Sequence, residues 1–195
     1  MMLQRWPVIA AWTLGALLGA AACAGPQKAA TREYHATDYW PLAVGNSWTY
    51  QISMRGANQE KTVAIVKQQD GYFVDSEGGR MQHHAAGVFD GERFMLRDPL
   101  ALGAKWMAVP SANSLERYEI TAVGFKMTVP AGVFDDCVRV QAVNRINQGQ
   151  AMIAEWTYAP GVGLVQFTSR LEAEGKPPQP QVTMALVKFA QKPAA

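Results

Sequence analysis

Five groups of side chains in this sequence are of types that could carry chemistry: Cys137, the pair His83-His84, the pair Asp135-Asp136, Asp90 with Glu92, and Cys23. A cysteine acts as a nucleophile when a histidine is positioned beside it and its surroundings lower the thiol pKa. Nothing in the spacing puts His83 or His84 next to Cys137, so Cys137 is expected to be a small buried core residue. On a strand, adjacent residues point to opposite faces, which denies a single zinc ion both histidines. No HExxH or CxxC pattern accompanies them, and both read as exposed polar residues. Asp135-Asp136 and Asp90 with Glu92 lack the ligand spacing of an EF-hand loop and read as solvated turn carboxylates. No G-x-S-x-G, S-x-x-K or phosphate-loop motif occurs. The sequence therefore assigns no catalytic, cofactor-binding or metal-binding residue, and a non-enzymatic domain is expected.

Cys23 is set apart by what precedes it. Arg5 is followed by an uncharged, mostly apolar run from Trp6 to Leu18 and then by Gly19-Ala20-Ala21-Ala22. Charge, apolar stretch and small residues in that order make a signal peptide. The apolar run is shorter than the roughly 20 residues that a bilayer-spanning helix needs. Cys23 after three alanines resembles the lipobox of bacterial lipoproteins, with Ala20 where such boxes usually carry Leu. The resemblance implies a mature chain that begins at an acylated Cys23, held by palmitate-type chains at about 0.8 kcal/mol per buried CH₂. With Ala24 next in line, it implies the outer membrane, facing the periplasm. Cleavage at an A-x-A site, Ala20-Ala21-Ala22 or Ala22-Cys23-Ala24, is the alternative and leaves a soluble periplasmic protein.

Of the 18 Lys and Arg and 16 Asp and Glu, only Arg5 lies in residues 1–22, so the exported chain carries 17 basic and 16 acidic side chains. Nucleic-acid binding rests on an excess of clustered cations, and this balance argues against it. With Cys23 acylated, Cys137 has no disulfide partner, and stability has to come from packing. About 170 residues suffice for one domain with a real core.

Any site must therefore be built by the elements, and these read as strands. Residues 23–38 form a flexible tether behind the signal-peptide helix of residues 1–22, residues 39–190 the folded domain, and residues 191–195 a flexible tail. Trp48, Tyr50, Ile52 and Met54 alternate with Thr49, Gln51, Ser53 and Arg55, the period of two of a half-buried strand. The alternation returns in Tyr118-Ile120-Ala122, Val138-Val140-Ala142 and Val165-Phe167. Residues 61–68, 72–76, 93–97, 152–158 and 182–189 are further strand candidates, rich in β-branched and aromatic residues. Asp70-Gly71, Asp90-Gly91 and Val123-Gly124 read as tight turns, and Asn147-Gln148-Gly149 as a slightly longer one. No helical stripe interrupts them. The expectation is an all-β or nearly all-β domain: one antiparallel, strongly curved sheet of about 8–11 strands, half-barrel or barrel-like. Its core would include Trp48, Tyr50, Trp106, Tyr118, Phe134, Val138, Val140, Trp156, Val165 and Phe167.

Pro41-Leu42-Ala43-Val44-Gly45-Asn46-Ser47-Trp48 is echoed by Pro99-Leu100-Ala101-Leu102-Gly103-Ala104-Lys105-Trp106. The residues between the copies do not repeat, so the echo reads as a reused turn rather than a duplicated half-sheet. Three segments, residues 39–50 (PLxxGNxWxY), residues 129–140 (VPAGxFxxCxxV) and residues 158–165 (YAPGVGLV), resemble a group of uncharacterised bacterial envelope proteins, often lipoproteins. The resemblance spans residues 39–165 and implies an envelope location but no catalytic residue. The functions that follow are a scaffold or binding sheet for an apolar small molecule or an envelope protein, a periplasmic hydrolase using Cys137 or a carboxylate pair, and a structural subunit of an envelope complex.

Overall fold

A computed structural model describes residues 34–112 and 114–192; the expected signal peptide and Cys23 lie outside them. Among the described residues, every element apart from one 3-10 turn at Ala36–Tyr39 is a strand. In chain order these are β1 (Ser47–Met54), β2 (Ala57–Gln69), β3 (Tyr72–Asp75), β4 (Arg80–His84), β5 (Gly87–Phe89) and β6 (Phe94–Arg97). Then come β7 (Lys105–Ser111), β8 (Ser114–Val129), β9 (Gly132–Asn147), β10 (Gln150–Ala159), β11 (Gly163–Ala173) and β12 (Gln179–Ala190). The twelve strands, one more than the upper expectation, form a single antiparallel sheet in the order β6-β5-β4-β3-β2-β1-β12-β11-β10-β9-β8-β7.

The chain walks outward from β1 to one edge at β6, then resumes at the opposite edge, β7, and walks back to β12, which pairs with β1. Only residues 98–104 join the two edges, so the sheet has to curl until its edges approach. They meet without a shared backbone ladder. Trp106 Nε1 donates to the Phe94 carbonyl at 2.9 Å, and Arg93 Nη1 donates to Glu116 at 2.7 Å. The result is a nearly closed barrel with one side-chain seam.

The sequence motifs occupy joints of this barrel. In the two echoed turns, the Gly45 and Gly103 amides donate to the Ile65 and Ile120 carbonyls, each at 2.8 Å. The Ile65 and Ile120 amides return the bond, to Asn46 and Ala104. Both glycines have positive φ, +97° and +80°, which a side chain would strain. The echo is thus one turn used twice, but β1 lies mid-sheet and β7 at an edge, so the halves are not duplicates.

Two clusters of buried side chains fill the structure. One holds Tyr118, Ile120, Val138, Val140 and Tyr158, and the other Trp48, Tyr50, Cys137, Val165 and Leu186. Seven of the ten expected core residues are buried outright, while Phe134, Trp156 and Phe167 are half-buried and packed against the clusters. Cys137 and Val138 are neighbours, yet one serves each cluster, because the sheet here is covered on both faces. The long β8–β9 hairpin is bent by three register shifts. Its tip returns to the sheet, where the Ala131 amide donates to the Leu186 carbonyl at 2.9 Å.

Three boundaries differ from the sequence reading. Val123-Gly124 lies inside β8 at one of those shifts rather than at a turn. Asn147 pairs with Gln150, so only Gln148 and Gly149 form that loop. Residues 34–38, read as tether, are packed: Ala36 is fully buried and its amide donates to Asp98 Oδ1. At the other end the Lys192 amide donates to Asn46 Oδ1, so the chain remains tied down just past β12.

Candidate ligand-binding cavity

His83, His84, Cys137, Asp90, Asp135 and Asp136 each have local structural partners. His83 and His84 stand on opposite sides of β4: His83 Nε2 is 2.7 Å from the Trp40 carbonyl, and His84 Nδ1 accepts from the Ala86 amide. Cys137 is fully buried and its thiol donates to the Phe134 carbonyl. Burial pushes that thiol up to about 11, so it is protonated at neutral pH. The Asp136 carbonyl accepts from Tyr39 at 2.6 Å, and exposed Asp135 pairs with Lys126. Asp90 holds the β5–β6 turn by accepting the Glu92 and Arg93 amides. Among the described residues no group of three His, Cys, Asp or Glu side chains could hold a metal ion.

The curled sheet instead encloses an apolar cavity of about 380 Å³. Its floor is the inward face of β1, Trp48, Tyr50 and Ile52. Residues of the same phase on β2, Lys61, Val63 and Ile65, continue the wall, because Trp48 pairs with Val63 and Tyr50 with Lys61. Phe73, Met81 and Met95 enclose one side, and Trp156, Leu164 and Met184 the other. No two of these strands could make the cavity alone; it exists because the sheet curls.

The polar atoms of its aromatic floor are engaged elsewhere. Trp48 Nε1 donates to the Val162 carbonyl at 2.7 Å and the Tyr50 hydroxyl to the Leu164 carbonyl at 3.0 Å. Val162 belongs to the Pro160-Gly161-Val162-Gly163 corner and Leu164 follows it in β11, so both acceptors lie in the third sequence motif and tie it to the first. Burial raises the Tyr50 hydroxyl well above its usual range, so it remains a neutral donor. Ionic groups occur only at the rim, where half-exposed Lys61 and Glu77 form an ion pair and Asp75 accepts the Glu77 and Gly79 amides. A dry interior with a charged rim can hold an apolar body and orient a polar head.

The sequence reading missed Lys61, Asp75 and Glu77. Lys61 was legible in principle, since the period of two puts it in phase with Val63 and Ile65, an inward-facing lysine on a half-buried strand.

No protein-family model and no curated protein matches this sequence. Two solved structures are similar in fold, each with a TM-score of 0.41 and covering 78% of this chain. One is a candidate lipoprotein from Parabacteroides distasonis, 13% identical and covered over 98% of its length. The other is a candidate exported protein from Bacteroides fragilis described as having a YmcC-like fold, 15% identical and covered over 99%.

Proposed function

We propose that this chain is an exported envelope protein, anchored through acylated Cys23, whose barrel binds an apolar, chain-like molecule without transforming it. The cavity carries the reading: about 380 Å³ of aliphatic and aromatic wall, within the size range of small-molecule sites. The export signal and the group resemblance support the location, and the engaged or buried state of Cys137 and both histidines supports binding over catalysis. Lys61 and Glu77 at the rim then face the polar end of the ligand.

Displacement of an environment-sensitive apolar dye tests the cavity. Met81→Trp fills it from the short strand β4 and should weaken dye binding about tenfold or more, while Met81→Ala should not, with both melting near wild type. Equal affinity in all three would refute the assignment. The anchor has its own test: mass spectrometry of the N-terminal peptide should find acyl chains on Cys23, and an unmodified terminus at Cys23 or Gly25 would exclude it.

A further inference from the structure

We infer that the outward face of β7, β8 and β9 is a docking surface for an anionic lipid bilayer. The register places Met107 opposite Arg117, Arg117 opposite Val143, and Lys105 opposite Glu119, all on the face turned away from buried Trp106 and Tyr118. Together with Arg97 from β6 and Arg145 further along β9, they line a shallow trough of about 780 Å³.

Four cations share this trough with one carboxylate, Glu119, and that one is taken by Lys105 at 3.2 Å. Among the described residues, Arg97, Arg117 and Arg145 have no carboxylate within ion-pair distance. Arg93 and Arg170, by contrast, each hold two carboxylates. In a chain of near-balanced charge, three guanidinium groups without a carboxylate, Arg97 lying over the Phe94 ring at 5.6 Å, share one trough, and an external anion offsets their mutual repulsion.

Exposed apolar side chains occur on the same stretch of chain: Met107 and Val109 share the phase of Lys105 on β7, and Leu102 lies in the segment between Arg97 and Lys105. Met107 and Leu102 are each 68% exposed and Val109 is 67% exposed. A cationic surface studded with protruding apolar groups matches the boundary between headgroups and acyl chains, where each basic residue contributes about 1 kcal/mol. An acidic protein would match the charges but leave these aliphatic groups without a partner.

The position of the chain's start agrees. The Ala36 amide is bonded to Asp98, next to Arg97. The ten residues between Cys23 and Tyr34 reach at most about 40 Å, so an anchor at Cys23 leaves the trough within reach of the membrane. This last step rests on the proposed anchor; the charge and the exposed side chains do not.

A chain starting at Ala24 keeps all twelve strands and both core clusters seen among the described residues and carries no acyl group. It should bind phosphatidylethanolamine/phosphatidylglycerol vesicles in a salt-sensitive manner and bind phosphatidylcholine vesicles far more weakly. Arg97→Gln/Arg117→Gln/Arg145→Gln should weaken binding about a hundredfold, near fivefold per arginine. Leu102→Ser/Met107→Ser should weaken it with unchanged salt dependence. All variants should bind the cavity dye like the parent, which separates loss of docking from misfolding. Equal binding to neutral vesicles, an unaffected triple variant, or binding to polyaspartate but not to vesicles would overturn the inference, the last in favour of an acidic protein.

Discussion

Cys137 is where one residue's chemistry is most sharply set by its neighbours. The side chain is fully buried, and removing it from water pushes the thiol from 9.0 up to about 11. In the unfolded chain the thiol ionises first as pH rises, so above its unfolded pKa the unfolded state binds fewer protons than the folded one. The contribution is therefore fully present below about pH 8.5 and declines as the pH climbs toward the folded value. Between pH 8 and pH 10, unfolding free energy should fall by about 1 kcal/mol more in the parent than in Cys137→Val. Chemical denaturation at each pH reads this directly, and identical pH profiles would show that the thiol ionises as easily folded as unfolded. The buried tyrosines shift in the same direction and begin to contribute near pH 10, but they do so equally in the parent and in Cys137→Val, so the difference between the two profiles isolates the thiol.

At the scale of elements, the sequence announced what repeats and concealed what depends on closure. Period-two alternation located β1, the first part of β8, β9 and β11, and the echoed turns were recognisable because each needs its own glycine. β4 and β5 were not legible: five and three residues carry too few positions to show a period, and their partners are their own neighbours in a meander. The bend in β8–β9 was hidden for a different reason. Register shifts keep both strands extended, so Gly124 reads like a turn although the chain continues through it. The cavity was least legible, because its lining comes from residues spread from Trp40 to Met184 that only the curled sheet assembles. The same holds for Asn46, whose buried amide bonds Pro41 and Lys192, 146 residues away in the second case.

For the molecule as a whole, the barrel is closed by two unlike joints. Where β1 meets β12, an antiparallel ladder with one register shift, between Thr49 and Tyr50, runs from Ser47 with Ala190 to Met54 with Val182. Where β6 meets β7, the joint consists of the Trp106 indole on Phe94, Arg93 between Asp90 and Glu116, and the Tyr158 hydroxyl 3.5 Å from the Met95 carbonyl. Burial alone would lower the Arg93 pKa, yet its hydrogen bond to Glu116 keeps it raised, so the guanidinium stays charged in the seam. Glu116 also accepts from Tyr118, which stacks on Trp106 at 5.2 Å, so seam and core share one network. Short strands β4, β5 and β6 depend on that network, whereas β8 to β11 have long ladders of their own. Opening should therefore begin at the seam as a local event well below global unfolding. Trp106→Phe removes the donor to Phe94 and keeps the stacking surface, at a cost of about 1 kcal/mol. Native-state hydrogen exchange of this variant should show roughly fivefold faster exchange of the β5 and β6 amides, with β9 and β10 following only the smaller change in global stability. Because Met95 on β6 lines the cavity, the same opening would uncover the bound apolar molecule, and saturating dye should slow β5 and β6 exchange in the parent chain. Uniform acceleration across all twelve strands would mean that the barrel opens as a single cooperative unit and that the seam is no weaker than the ladder opposite it.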